Sequence, residues 1–314
     1  MKLSAYDIEH IPLGELLAEA ERLRRATFED NVDLCAIVNI KSGRCAMDCR
    51  FCAQSAYYST DVGVYSLRGA ADLVSSTLEI WNDGVRRVGW VASGCRLSTS
   101  DLDQVLIAAE ELSLQKFRHQ KCSLCCASFG QLDSESLIRL QAAGFKHYHH
   151  NLETSERFYP SICTTQRWRD RLATIQRVLE LGWEICSGGL FGLGETWEDR
   201  IQLAKTLNEL KVKSVPLNFY NAINGTPFAG LKPLSVEEGL RIIALFRIML
   251  PDASLKICGG RPKIFAEQGE KLFHAGADAL MTGNYLTTNG INPEQDKKMI
   301  TNAGLLYNET TKKY

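Results

Sequence analysis

The chain has 314 residues, 45% hydrophobic and 23% charged, the proportions of a globular protein with room for a large core. A formal net charge of −1 leaves no footprint for nucleic acid or for an anionic membrane surface. Residues 1–30 are mixed and charged, without an apolar run of signal-peptide or membrane-span type, so the expected location is the cytoplasm.

In chain order, residues 1–30 read as an amphipathic leader helix. Strands are then expected at 34–40, 87–92, 122–128, 147–152, 184–188, 214–219, 255–258 and 279–281. Helical periodicity fills the intervals at 67–83, 100–112, 134–143, 167–181, 198–210, 236–249 and 262–274. Ser100 or Asp101, Asp133 or Ser134, and Ser235 are the candidate helix caps, and Gly144, Gly182 and Gly276 stand where helices should stop. Eight strands alternating with helices predict an α/β fold, a (βα)8 barrel with its core at about 33–290. A doubly wound sheet is the alternative. The polar stretch 291–314 reads as a C-terminal extension, and no internal linker divides the chain, so residues 1–314 are expected to form a single domain.

Cysteine is the unusual component. Eleven occur, an odd number, and a reducing compartment favours buried thiols or metal ligands over disulfides. Cys45, Cys49 and Cys52 form C-x3-C-x2-C directly after the first expected strand, on the barrel face that carries active sites. Three thiolates on one loop can hold three irons of a [4Fe-4S] cubane, leaving the fourth iron open to the amine and carboxylate of S-adenosylmethionine. An electron passed to its sulfonium would release a 5′-deoxyadenosyl radical. A zinc site would show paired C-x2-C motifs or nearby histidines, and a ferredoxin loop would supply a fourth local cysteine. Neither is found here. The run His147-Tyr-His149-His150 raises a metal site as an alternative, with residues 147, 149, 151 and 153 on one face of a strand and 150 on the other.

The C-x3-C-x2-C spacing is the hallmark of the radical S-adenosylmethionine superfamily, and the chain resembles biotin synthases over about 33–290. The resemblance is carried by Ser42-Gly43-x-Cys45-x3-Cys49-x2-Cys52-x-Gln54, by 150–155, by the glycine-rich run from Cys186 to Glu195, by 215–218, by Gly225-Thr226-Pro227 and by 286–288. It implies sulfur insertion into dethiobiotin, one deoxyadenosyl radical for each C–H bond broken, and a second, deeper iron–sulfur cluster that donates the sulfide. By resemblance, Phe51 lies beside the adenine, and Asn151, Glu153 and Arg171 hold S-adenosylmethionine or sit between it and the substrate. His149, Asn151 and Asn218 face the ureido ring, with Thr287 and Thr288 at the far end of the substrate. A flavodoxin or ferredoxin reductant and a homodimer are also implied.

The auxiliary cluster is where the pattern breaks. Cys126 and Cys186 keep two of the family's three cysteines, but the third position is Gly89 and the family's arginine is Lys256, which lacks a guanidinium fork. Cys122, Cys125 and Cys258 are gained nearby, so an all-cysteine auxiliary cluster is expected, with Cys35, Cys95 and Cys163 as incidental thiols. The competing readings are a radical relative of hydrogenase-cluster maturase or methylornithine-type isomerase chemistry, and a non-catalytic electron carrier.

Overall fold

The computed structural model describes residues 4–116 and 126–307. Ten strands are found: β1 (Asn31–Lys41), β2 (Arg87–Ala92), β3 (Cys126–Ser128), β4 (His147–His149), β5 (Glu184–Cys186), β6 (Gly189–Phe191), β7 (Ser214–Phe219), β8 (Ser254–Ile257), β9 (Ala279–Met281) and β10 (Leu306–Tyr307). All pairings between them are parallel, and β1 pairs with β9 through Asp33–Ala279 and Cys35–Met281, closing the sheet on itself. With β5 and β6 as two parts of one stave, the barrel has eight staves, as expected. The apolar run of β1 is buried from Val32 to Ala36, which is what a strand covered on both faces requires.

The helices fall close to their expected positions, with informative differences. The helix expected at 100–112 spans Thr99–Lys116, because Ser98 rather than Ser100 is the cap: its Oγ accepts from the Asp101 N–H at 3.1 Å. The leader is two helices, Ala5–His10 and Leu13–Phe28, because Pro12 has no N–H to carry a helix through. The helix expected at 262–274 breaks into Arg261–Phe265, a 3-10 turn at Ala266–Gln268, and Lys271–His274. Ala266 there takes φ 36°, and a side chain at Gly269 would meet Met299 Sδ at 2.4 Å.

Met299 belongs to the C-terminal extension, which is not merely a polar tail. Its helix Pro293–Asn302 is anchored by Asp296, buried and paired with both Nη atoms of Arg261 at 2.8 Å, and β10 then adds to the outer edge of β1. A buried bidentate pair of this kind fixes orientation more surely than it adds stability.

Candidate active site

A cavity of about 440 Å3 opens where the strands end at their C-terminal side, the face on which barrel enzymes build their sites. Cys45, Cys49, Phe51 and Cys52 all line it. The cysteine loop is pinned from several directions. Gly43 and Arg44 take φ of 78° and 52° to turn the chain out of β1, a conformation that costs a residue with a Cβ. Gln54 Oε1 accepts from Ser42 Oγ at 3.2 Å and from the Gly43 N–H at 3.1 Å, while Cys45 N donates to the Gln54 carbonyl at 2.8 Å. Asp48 accepts from the N–H groups of Thr164 and Thr165 at 2.8 and 3.1 Å. Burial pushes Cys52 up to about 11, so iron binding, which takes thiolates, releases protons.

Among the described residues no three His, Cys, Asp or Glu side chains converge tightly enough to hold one metal ion. This speaks against a mononuclear zinc or iron site, including one on the histidines. His147 Nδ1 lies 3.0 Å from the Glu184 carboxylate, whereas His149 stands opposite Cys186 across the strand pair. A cubane places each thiolate on a different iron, so its ligands stand farther apart than those of a single ion. The chemistry of the donor set, three loop cysteines facing the cavity, fits the cluster and the sulfonium cofactor.

The opposite wall carries the residues expected at the cofactor. His147, His149, Asn151 and Glu153 all reach the cavity, as strand alternation demands. The regular strand ends at His149 and pairing resumes at the Glu153–Gly189 bridge; His150 between them also borders the cavity, buried and with Nε2 unpartnered among the described residues. Glu153 takes φ 68°, a strained conformation for a non-glycine residue and one that collects at functional sites. Arg171 is no solvated surface charge. Its side chain is 13% exposed, with Nε donating to Tyr159 Oη at 2.8 Å, Nη1 to the Asn151 carbonyl at 2.9 Å, and the Glu153 carboxylate 3.6 Å away.

Asn218 spans two strand ends: Oδ1 accepts from the Gly259 N–H at 3.0 Å and Nδ2 donates to the Gly189 carbonyl at 3.3 Å. Thr287 and Thr288 lie on the cavity wall in a turn in which Tyr285 N donates to the Thr288 carbonyl at 3.0 Å. The glycine-rich run is a close-approach loop. A Cβ on Gly188 would stand 1.9 Å from the Pro216 carbonyl oxygen. Glu195 braces the loop by accepting from the N–H groups of Gly192 and Leu193 at 2.9 and 2.8 Å and from Arg200 Nε at 2.9 Å.

Deeper in the barrel, Cys126, Cys186 and Cys258 line the same cavity, together with Lys256. Cys186 accepts from Ser214 Oγ at 3.3 Å, and Lys256, His149 and the Ser214 hydrogen bond outweigh burial to bring its thiol down to about 6. Cys122 and Cys125 lie outside the described residues. Gly89 leaves room beside Cys126: a Cβ there would be 3.9 Å from the Cys126 Cβ. Cys35, expected to be incidental, borders the same cavity as Lys256. Cys163 packs on the cysteine loop, with Sγ donating to Asp48 Oδ1 at 3.3 Å. The sequence left Cys35 as an incidental thiol; only the register between strands brings it level with Lys256.

Residues 39–207 match the radical SAM superfamily, and residues 216–306 match the biotin and thiamin synthesis associated domain. The chain is 46% identical to the biotin synthase of Desulfovibrio desulfuricans over 96% of this chain and 94% of that one. Identity to the biotin synthase of Clostridium perfringens is 44% over 93% and 90%, and to that of Thermodesulfovibrio yellowstonii 42% over 95% and 93%. In three dimensions it resembles methylornithine synthase (TM-score 0.81, 18% identity, 98% of this chain and 95% of that one). It resembles the FeFe-hydrogenase maturase of Carboxydothermus hydrogenoformans equally well (TM-score 0.81, 18% identity, 99% and 77%). These two structures share the barrel, while the sequence relationships are specific: the chain belongs to the biotin synthase family of radical SAM enzymes.

Proposed function

We propose that this chain is a biotin synthase, a sulfurtransferase that converts dethiobiotin to biotin within a single radical SAM barrel domain. The observation that carries the reading is the union of two thiol groups on one cavity: Cys45, Cys49 and Cys52 at its mouth, and Cys126, Cys186 and Cys258 deeper in. When bound at the outer group, the [4Fe-4S] cluster and S-adenosylmethionine supply the deoxyadenosyl radical.

The protein's own residues then hold and orient. Arg171 fixes the Asn151 backbone and stands beside Glu153, so the pair can grip the amine and carboxylate of the cofactor in fixed geometry. Phe51 offers an apolar face to the adenine. Asn151 and Asn218 present amides toward the ureido ring, with His149 as a further donor when neutral. Thr287 and Thr288 meet the far end of dethiobiotin. The surrounding barrel excludes water from a reactive radical. Cys126 and Cys186 hold the sulfur-donating cluster, with further ligands drawn from Cys122, Cys125 and Cys258.

No helix among the described residues is long and apolar enough to cross a membrane. A cytoplasmic setting, a flavodoxin or ferredoxin as electron donor and a homodimer complete the reading on family resemblance. Anaerobically reconstituted protein, reduced and mixed with S-adenosylmethionine and dethiobiotin, tests it. Biotin formation, lost in Cys45→Ala, supports it. Deoxyadenosine without biotin would favour the maturase or isomerase relatives, and absence of both products would favour an electron carrier.

A further inference from the structure

We infer that Cys35 is a ligand of the auxiliary iron–sulfur cluster, standing in one ring of side chains with Cys126, Cys186 and Lys256. The inference rests on the reading above that Cys126 and Cys186 hold that cluster.

The registers carry it. In a barrel of this class the strands are staggered by about one residue per strand, and each interior layer takes four side chains from alternate strands. Cys35 pairs with Arg87 and Cys126 with Gly89, so β3 lies two residues further on after two strand steps. Cys126 pairs with His147 and Cys186 with His149, the same offset. Cys186 pairs with Ser214 and Lys256 with Pro216. Lys256 pairs with Ala279 and Cys35 with Met281, which closes the ring. Four identical offsets place Cys35, Cys126, Cys186 and Lys256 in one layer. Cys258, two residues beyond Lys256 and just past the end of β8, lies two layers higher, toward the mouth.

The charge of Lys256 is consistent with the placement that the registers give. Lys256 is 7% exposed, and no carboxylate pairs with it among the described residues. A buried ammonium needs a compensating anion. The groups around it are the sulfurs of Cys35, Cys186 and Cys258 and the guanidinium of Arg87. Cysteines bound to iron are thiolates, so a cluster on this ring is compatible with the positive charge of Lys256. Gly89 removes a sulfur from the neighbouring layer, and Cys35 returns one to this layer.

The test is anaerobic reconstitution of the wild-type chain, Cys35→Ser, Cys35→Ala, Cys186→Ser and Cys45→Ser, with iron and sulfide per chain and Mössbauer spectra as readouts. Both Cys35 variants should lose the auxiliary cluster, as Cys186→Ser does, and retain about four irons, one cubane per chain. Serine is nearly isosteric with cysteine, and the melting temperatures of the cluster-free proteins show whether either variant is misfolded. If both Cys35 variants keep wild-type iron and an unchanged spectrum while Cys186→Ser loses the second cluster, Cys35 is only a buried partner of Lys256 and the inference is overturned. If Cys186→Ser also keeps both clusters, the auxiliary site itself is misplaced and the inference falls with it.

Discussion

Asp48 of the cysteine loop and Thr165, 117 residues away in sequence, are joined three times: the Thr165 N–H and Oγ donate to Asp48 Oδ1 at 3.1 and 2.9 Å. Thr165 Oγ also receives the Asp48 N–H at 3.0 Å. Burial pushes the Asp48 carboxyl up, but the hydrogen bonds from Thr164 and Thr165 outweigh it and hold the group well below the usual carboxylate range.

This clasp sets the position of Cys49 and Cys52. Asp48→Ala removes a charged acceptor serving several donors and should destabilise the loop by about 1–2 kcal/mol, the lower part of the usual range because the site is partly wet. The measurement is iron retained by the outer cluster under a chelator. Retention equal to wild type over hours would show that the clasp does not position the loop.

Gly188→Ala places a methyl 1.9 Å from the Pro216 carbonyl oxygen, a backbone clash with no flexible side chain to yield. A loss of about 3 kcal/mol or more is expected, beyond ordinary overpacking. Gly63, where an added Cβ would meet nothing within 4 Å, is the control, and its alanine variant should stay within about 0.5 kcal/mol of wild type. Urea unfolding of the two variants decides the matter; equal midpoints would contradict the close approach.

Arg171→Lys keeps the charge but cannot serve Tyr159 and Asn151 together. Loss of one or two charge-assisted hydrogen bonds predicts about a 10- to 100-fold fall in kcat/KM for S-adenosylmethionine. Deoxyadenosine release under varied cofactor concentration reads this directly, and unaltered kinetics would remove Arg171 from the site.

His147 is held at about 4 by burial, aided by the nearby positive charges of Arg87, Lys256 and Lys146 and opposed by the Glu184 carboxylate 3.0 Å away. Its folded value lies below the unfolded value of 6.5, so the unfolded chain binds a proton that the folded protein does not. Stability should therefore be full above pH 6.5 and decline as pH falls toward 4, by no more than about 3 kcal/mol from this group. Urea unfolding of cluster-free protein at pH 7 and pH 5 should show a smaller pH dependence in His147→Gln than in wild type. The same dependence in both would assign the effect to other groups.

Sequence alone determined the βα alternation, the eight staves and the three-cysteine loop, because these rest on local periodicity and on ligands a few residues apart. It also pointed to Asn151 and Glu153 through the contiguous run 150–155, whereas Arg171 was reached only through the family resemblance. Boundaries moved wherever a long-range contact intervened, as where Met299 packs against Gly269. The tertiary structure alone decided the partners of Cys35 and Lys256, which are brought together from β1 and β8 by closure of the barrel through β9. The physical reason is register: alternation tells which face a side chain takes, but only the inter-strand hydrogen bonds set its height along the barrel axis, and height determines which sulfurs meet.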